Sequence, residues 1–244
     1  MFYYLYDGSF SGLLTSIYEA FHNDYEPDYI IKESKYKKNL FAKTIIINTD
    51  ENKAEKVAKA IKNKISKRIY KNIYYVFLSE KSNVELDIYH YLKKAFKKGR
   101  KINENWADDC VRRIKKISKK VGREKHKYLG LLRFRELKEN ILYAPFEPEN
   151  FLLPIISNHF ATRMKNKRWV IHDKKRNMAV IYENNEWMMI DGSELPKINY
   201  SQDEKYYQEL WQSFFDNITI KNRKNLDLQQ NFMPKKYRKY LIEK

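Results

Sequence analysis

Hydrophobic and polar positions follow two different periods along this chain, and the change falls near residue 130. Before it, apolar residues recur every three or four positions, the rhythm of a helix with one buried face. The opening predicts a strand over 2–6, a turn at Asp7-Gly8, and a helix capped by Ser9 that buries Leu13, Leu14, Ile17, Tyr18 and Phe21. The same order then repeats. Thr44-Ile45-Ile46-Ile47 predicts a short buried strand, and Asn48, Thr49 or Asp50 caps a helix with Ala54, Val57, Ala58, Ile61 and Ile65 inward. An apolar strand followed by an amphipathic helix is what a helix-covered sheet produces. Helices are expected next over 68–79 and 83–98. Ser82 and Glu85 supply a capping-box signature for the second, which turns Val84, Ile88, Leu92 and Ala95 or Phe96 inward. A further helix starts at Trp106 with apolar residues at 106, 110, 114, 117 and 121, and Gly122 and Gly130 bracket an expected joint.

After Gly130 the period shortens to two. Strands are predicted over 131–137, 141–146, 169–173, 178–182 and 187–190, with Asn184-Asn185 making a tight hairpin between the last two. One helix, 149–164, interrupts them after the punctuation of Pro145 and Pro148. A tail helix over 204–218 carries Tyr207, Leu210, Trp211, Phe214 and Phe215, and a short basic end begins at Met233-Pro234. The fold class is therefore α+β. N-terminal strand–helix units and a basic helical segment (1–128) precede a mainly antiparallel sheet with an inserted helix (129–200) and a helical basic tail (201–244).

Charge adds a function class to this outline. Lys and Arg number 49 against 31 acids, a net of +18, and the excess is clustered. Residues 97–127 hold 13 basic and 4 acidic side chains, and residues 221–244 hold 8 and 2. In the helix after Trp106, Arg112, Arg113, Lys115, Lys116, Lys119 and Lys120 crowd the exposed sides with no acid among them. Such pairs repel by a few tenths of a kcal/mol each. Clustered cations in a basic domain are the electrostatic footprint of a nucleic-acid binder, DNA first and RNA as the other polyanion to compare. Lys235, Lys236 and Arg238, interleaved with Tyr237 and Tyr240, extend the candidate set. The single cysteine, Cys110, excludes an internal disulfide and reads as a small buried hydrophobe on its helix. No apolar run approaches the ~20 residues of a membrane helix, and the N-terminus lacks a signal-peptide pattern. A cytoplasmic location without a membrane partner is expected.

Three polar stretches are candidates for chemistry. Asp7, Gly8 and Ser9 join a strand end to a helix start, where backbone amides converge on an anion site or simply form a capped turn. His159 and Arg163 lie four apart on one helical face and suit phosphate contact, or His159 is a structural hydrogen-bonder. His172 and Asp173 point to opposite faces of one strand, so His172 acts as a tuned base only with a carboxylate from elsewhere, such as Glu136 or Asp191. Arg133 and Arg135 are expected on one sheet face, as a phosphate-binding surface or a solvated side; Arg176, with His172, is expected to contact DNA beside the His159 and Arg163 pair. Metal-ligand spacing, a nucleophile elbow and a Gly-rich nucleotide fingerprint are absent from the sequence, so no metal or cofactor is expected.

Several of these landmarks occur together elsewhere. Tyr6-Asp7-Gly8-Ser9-Phe10-Ser11-Gly12-Leu13-Leu14, Leu132-Arg133-Phe134-Arg135-Glu136, His159-Phe160-Ala161-Thr162-Arg163, Trp169-Val170-Ile171-His172-Asp173 with Arg176, and Phe232-Met233-Pro234-Lys235-Lys236-Tyr237 stand in that order. Across nearly its whole length the chain resembles an uncharacterised bacterial family of DNA metabolism or DNA repair proteins. Members of that family are encoded beside a radical-SAM protein of DNA-modification type. In some relatives the region is fused to a uracil-DNA-glycosylase-like domain. The end departs, with Arg238 and Ile242-Glu243-Lys244 where relatives often read Trp and Pro-Glu, which changes a surface contact more than a fold. The resemblance carries no established reaction. It implies an accessory that holds DNA while a radical-SAM partner acts, because one cysteine cannot hold the partner's three-cysteine cluster. The competing expectation is a nucleic-acid-processing enzyme with His159 or His172 as general acid or base.

Overall fold

β1 (Phe2–Tyr6) lies at the centre of a three-stranded parallel sheet in the order β2-β1-β3, with β2 at Tyr29–Lys32 and β3 at Lys43–Ile46. The computed structural model describes residues 1–220, 225 and 233–242. Phe232 of the last sequence motif, and Lys221, Arg223, Lys224, Glu243 and Lys244 of the tail, lie outside them. Two compact units make up the chain, Met1–Arg123 and Glu124–Lys244.

In the first unit α1 (Phe10–His22) starts at Ser9, whose hydroxyl accepts the Gly12 amide, and buries Leu13, Leu14 and Ile17. Phe21 stays 37% exposed. α2 (Glu51–Ala60) is capped by Asp50 and continues through a π turn, Ile61–Ile65. α3 (Lys67–Phe77) is capped by Ser66, and α4 (Val84–Lys98) follows. Ile17, Ile61, Ile73, Ile88, Leu92 and Ile114 meet in one core, which is why the helical rhythm was legible.

Three local expectations need correction, and one strand went unread. β3 is a half-buried edge strand rather than a buried one: Ile45 packs against the core, while Ile46, on the opposite face, is 64% exposed. β2 gave no readable signal, since only Ile30 of its four residues is buried. The capping box at Ser82 and Glu85 is not formed. Asn83 holds the cap position at φ +58° without a side-chain bond, and the Glu85 carboxylate accepts the buried Tyr6 hydroxyl instead. Lastly, α5 runs unbroken from Asp109 to Leu131, through both glycines of the expected joint. A Cβ on Gly122 would meet the Tyr75 ring at 3.5 Å, an ordinary contact, so this position is a plain helix-interior site rather than a helix end.

The second unit is built on a five-stranded sheet in the order β4-β5-β6-β7-β8. Its strands are Arg135–Leu137, Ile141–Phe146, Arg168–Asp173, Met178–Glu183 and Glu186–Asp191. All neighbours are antiparallel except β5 and β6, which run parallel because α6 (Leu153–Arg163) connects them. Asn184 and Asn185 take φ of +53° and +66° in the β7–β8 hairpin, the conformation a two-residue turn demands. Trp169, Ile171 and Asp173 project to one face of β6, and Val170 and His172 to the other. Trp169 is fully buried, stacked on Tyr182 at 4.9 Å. Leu137, Tyr143, Val170 and Ala179 form a second cluster with His172 beside it, joined to Tyr143.

β4 is shorter than the 131–137 strand expected, because α5 occupies Leu131 and the Arg133 guanidinium donates to the Gly130 carbonyl at the helix end. Arg133 and Arg135 therefore do not share a strand. α7 (Gln202–Ile218) is capped by Ser201 and held to β4 by Glu204, whose buried carboxylate accepts the Glu136 amide at 2.7 Å. Its Tyr207, Leu210 and Phe214 remain at the surface. Among the described residues, no helix is long and apolar enough to cross a membrane.

Candidate nucleic-acid interface

The register of α5 decides which cations face solvent. Asp108 Oδ1 accepts the amides of Cys110 and Val111, which starts the helix after Trp106 rather than at it. Trp106 is consequently 61% exposed, and the Lys115 ammonium sits 3.6 Å from its ring centre. Val111, Ile114 and Val121 are buried, and Ser118 donates to the Asn72 side chain of α3. Burial pushes the Cys110 thiol up to about 11, as suits a small packed side chain.

The basic residues of α5 fall into two groups. Arg112 pairs with Asp109, and Arg113 with Asp87 at 2.8 Å while also donating to the Ser82 carbonyl. Lys115 donates to the Asn103 carbonyl, and its pKa is lowered first by burial and then by the charge of Arg68 on α3. Lys116, Lys119 and Lys120 are exposed, and among the described residues Lys116 and Lys119 have no ion-pair partner. Arg68 thus joins the α5 cations, and sequence reasoning missed it because it sits in an ordinary amphipathic helix.

In the second unit several candidate residues are occupied by protein groups. Arg176 pairs with the fully buried Asp173 at 2.7 Å and donates to the carbonyls of Pro148 and Glu149. The nearby loop is also held by Glu124, whose buried carboxylate accepts the amides of Glu149 and Asn150. At the C-terminal end Lys236 pairs with Glu149 and Lys239 with Glu147, each at 2.5 Å, and the Tyr240 hydroxyl donates to Glu147. Hydrogen bonds from Lys239 and Tyr240 hold the Glu147 carboxyl below its ordinary range. Lys235 remains exposed, and Arg238 donates to the Met233 carbonyl. His159 and Arg163 share an exposed face of α6, with the His159 ring edge-on to Phe160.

Arg135 and His172 both neighbour Tyr143, a residue the sequence did not single out, and the Arg135 guanidinium itself donates to the Tyr240 carbonyl. Arg135 stands opposite Tyr143 in the β4–β5 pair, and the Tyr143 hydroxyl meets His172 Nδ1 at 2.9 Å. His172 has this phenol where a general base would need a carboxylate. Glu136 engages α7 through its backbone, and the Asp191 carboxylate takes the Asn177 amide and Ser193. Gly192 packs against the other side of the imidazole, where a Cβ would lie 2.8 Å from Nε2. Burial, helped by Lys174, holds His172 below its ordinary 6.5. The unfolded chain then binds a proton that the folded one refuses, so stability falls as pH drops below 6.5 and levels off beneath the lowered folded value. Thermal unfolding followed between about pH 5 and 8 should show a shallower pH slope in His172→Gln than in the native chain. Identical slopes would remove His172 from this role.

At the first turn, Asp7 Oδ1 accepts the Ser9 amide and Oδ2 the Thr49 hydroxyl, while Ser9 takes the Gly12 amide. The amides aimed at an anion are thereby already bonded to protein oxygens. Burial opposes ionisation of Asp7, but the bonds from Ser9 and Thr49 prevail and lower its pKa. Among the described residues, no three His, Cys, Asp or Glu side chains gather as a metal site.

A family model described as a domain of unknown function, DUF4130, matches residues 82–243. No curated protein matches the sequence. The matched region is about two thirds of the chain, and the chain belongs to this family.

Proposed function

We propose that this member of the DUF4130 family is a DNA-binding accessory of a bacterial DNA repair or modification system, working beside a radical-SAM partner. One observation carries the DNA part. Lys116 and Lys119 stand exposed and unpaired among the described residues, next to a Lys115 whose charge is disfavoured by burial and by Arg68. Cations gathered without counter-anions are stabilised by a polyanion, which releases its condensed counterions on contact. His159 and Arg163, exposed together on α6, would add phosphate contacts. The partner follows from the family resemblance and from the single cysteine, since this chain cannot itself hold a three-cysteine iron–sulfur cluster.

The enzyme reading with His172 as base is disfavoured by its burial and its tyrosine partner. His159, accessible beside Arg163, is the histidine to test for turnover. The accessory reading is tested by titrating duplex DNA at rising salt and by co-purification with the neighbouring radical-SAM protein, with and without duplex. Binding should weaken with a log–log slope of roughly −0.9 per neutralised phosphate, and duplex should increase the amount of partner retained. Salt-independent binding, or turnover of DNA by the isolated chain that His159→Ala abolishes, would overturn it.

A further inference from the structure

Between α1, α2 and α4 lies an open pocket of about 300 Å³ that the basic α5 face does not include. That volume is at the lower end for ligand sites, roughly 300–1,000 Å³. Val57 and Ala60 contribute apolar surface, and the remaining apolar lining is aromatic. Phe21 and Phe96 are 37% and 36% exposed and meet edge to face at 5.8 Å. Tyr18 is stacked on His22 at 4.0 Å and 15°, and His22 Nδ1 donates to the Tyr18 carbonyl, which fixes that ring pair. Part-exposed rings fixed at the mouth of a pocket offer a flat ligand a surface to stack on.

The charges around the pocket indicate what covers it. Its lining contains no carboxylate, and its charged side chain is Lys56, whose ammonium lies 6.0 Å from the Tyr18 ring centre. Lys53 lies 5.7 Å from the same ring and is neutralised by Glu19. Lys56 has no ion-pair partner among the described residues. Aromatic surface with an uncompensated cation beside it matches a flat heterocycle carrying an anion. We infer that this pocket receives one unpaired nucleobase of a DNA strand, stacked against its aromatic side chains, with the adjoining phosphate on Lys56. The lining is almost wholly apolar, so recognition is by stacking and tolerates any base.

This inference rests on the DNA reading above, and its test separates the two. A short oligothymidylate and a duplex would be titrated against the native chain, Phe96→Ala, Phe96→Leu and Lys116→Glu/Lys119→Glu. Phe96→Leu retains apolar bulk without a ring, and thermal melts check that each variant is folded. Both Phe96 variants should lose about tenfold in single-strand affinity and keep their duplex affinity. The lysine variant should weaken both ligands. Single-strand affinity unchanged by either Phe96 variant, with duplex binding still dependent on the lysines, overturns the pocket alone. Restoration by leucine would assign it to an aliphatic partner and overturn the base-stacking claim. If the native chain binds neither ligand, the DNA reading falls with it.

Discussion

Replacing Lys116 and Lys119 together by glutamate should reduce duplex affinity about a hundredfold at moderate salt and flatten the salt dependence by close to two phosphate equivalents. Both side chains are exposed, so the fold has no stake in their charge. Lys115 is a poorer choice, because its stem and ammonium pack on Trp106 and bond to Asn103. Arg113 is poorer still, since Asp87 and the Ser82 carbonyl would lose their partner. The measurement is fluorescence anisotropy across a salt series, with circular dichroism as the check on folding. An affinity within threefold of native, in a folded double variant, would show that this face does not meet DNA.

The largest stability effect is expected at Arg176. Asp173 is fully buried, and Arg176 supplies its ion pair while its other guanidinium bonds fasten the carbonyls of Pro148 and Glu149. Arg176→Ala leaves a buried carboxylate without its counter-charge, a change that costs about 3–5 kcal/mol. The melting temperature of the second unit should fall on the order of 10 °C. Lysine should not rescue it, because one ammonium cannot reproduce a planar fork that reaches a carboxylate and two carbonyls. Chemical denaturation of Arg176→Ala, Arg176→Lys and the native chain checks this. A loss below about 1 kcal/mol for alanine would mean that the pair contributes no more than a surface contact. Arg176 entered the sequence reading as a DNA contact, and its geometry accounts for it first as a brace.

Legibility followed burial. The helices of the first unit were readable because each buries a regular face, as in Ala54, Val57, Ala58, Ile61 and Ile65 of α2 and its π turn. β5 to β7 were readable as short apolar runs that the structure buries, while β8, none of whose residues is buried, was marked by its residue types and the Asn184-Asn185 turn. Where burial is irregular, the pattern misled. Ile46 looked like core beside Ile45 and Ile47, yet it is exposed on an edge strand, and sheet order is set by contacts distant in sequence. Trp106 kept the helical rhythm although Asp108 starts the helix beyond it. Glycines at 122 and 130 suggested a break, but the helix runs through both, since an isolated glycine costs a helix only about 1 kcal/mol and the buried face of α5 outweighs it. For the candidate site, residue types were readable and partners were not. The sequence marked Arg135 and His172, while Tyr143, which bonds His172 and stands opposite Arg135 in the strand pair, resembles any strand tyrosine. Lys236 and Lys239 counted as free charge until Glu149 and Glu147 were seen to meet them across some ninety positions of chain.

Gly12 carries an implication for how this chain can change over time. A methyl group there would fall 2.2 Å from Asp7 Oδ1 and 2.8 Å from the Thr49 hydroxyl, so carboxylate and glycine occupy one shared volume. Alanine at 12 becomes admissible only after residue 7 has shrunk or swung away, and that in turn frees Thr49 and the amide of Ser9. The three positions, forty-two residues apart at their extremes, are therefore bound to vary in concert or not at all.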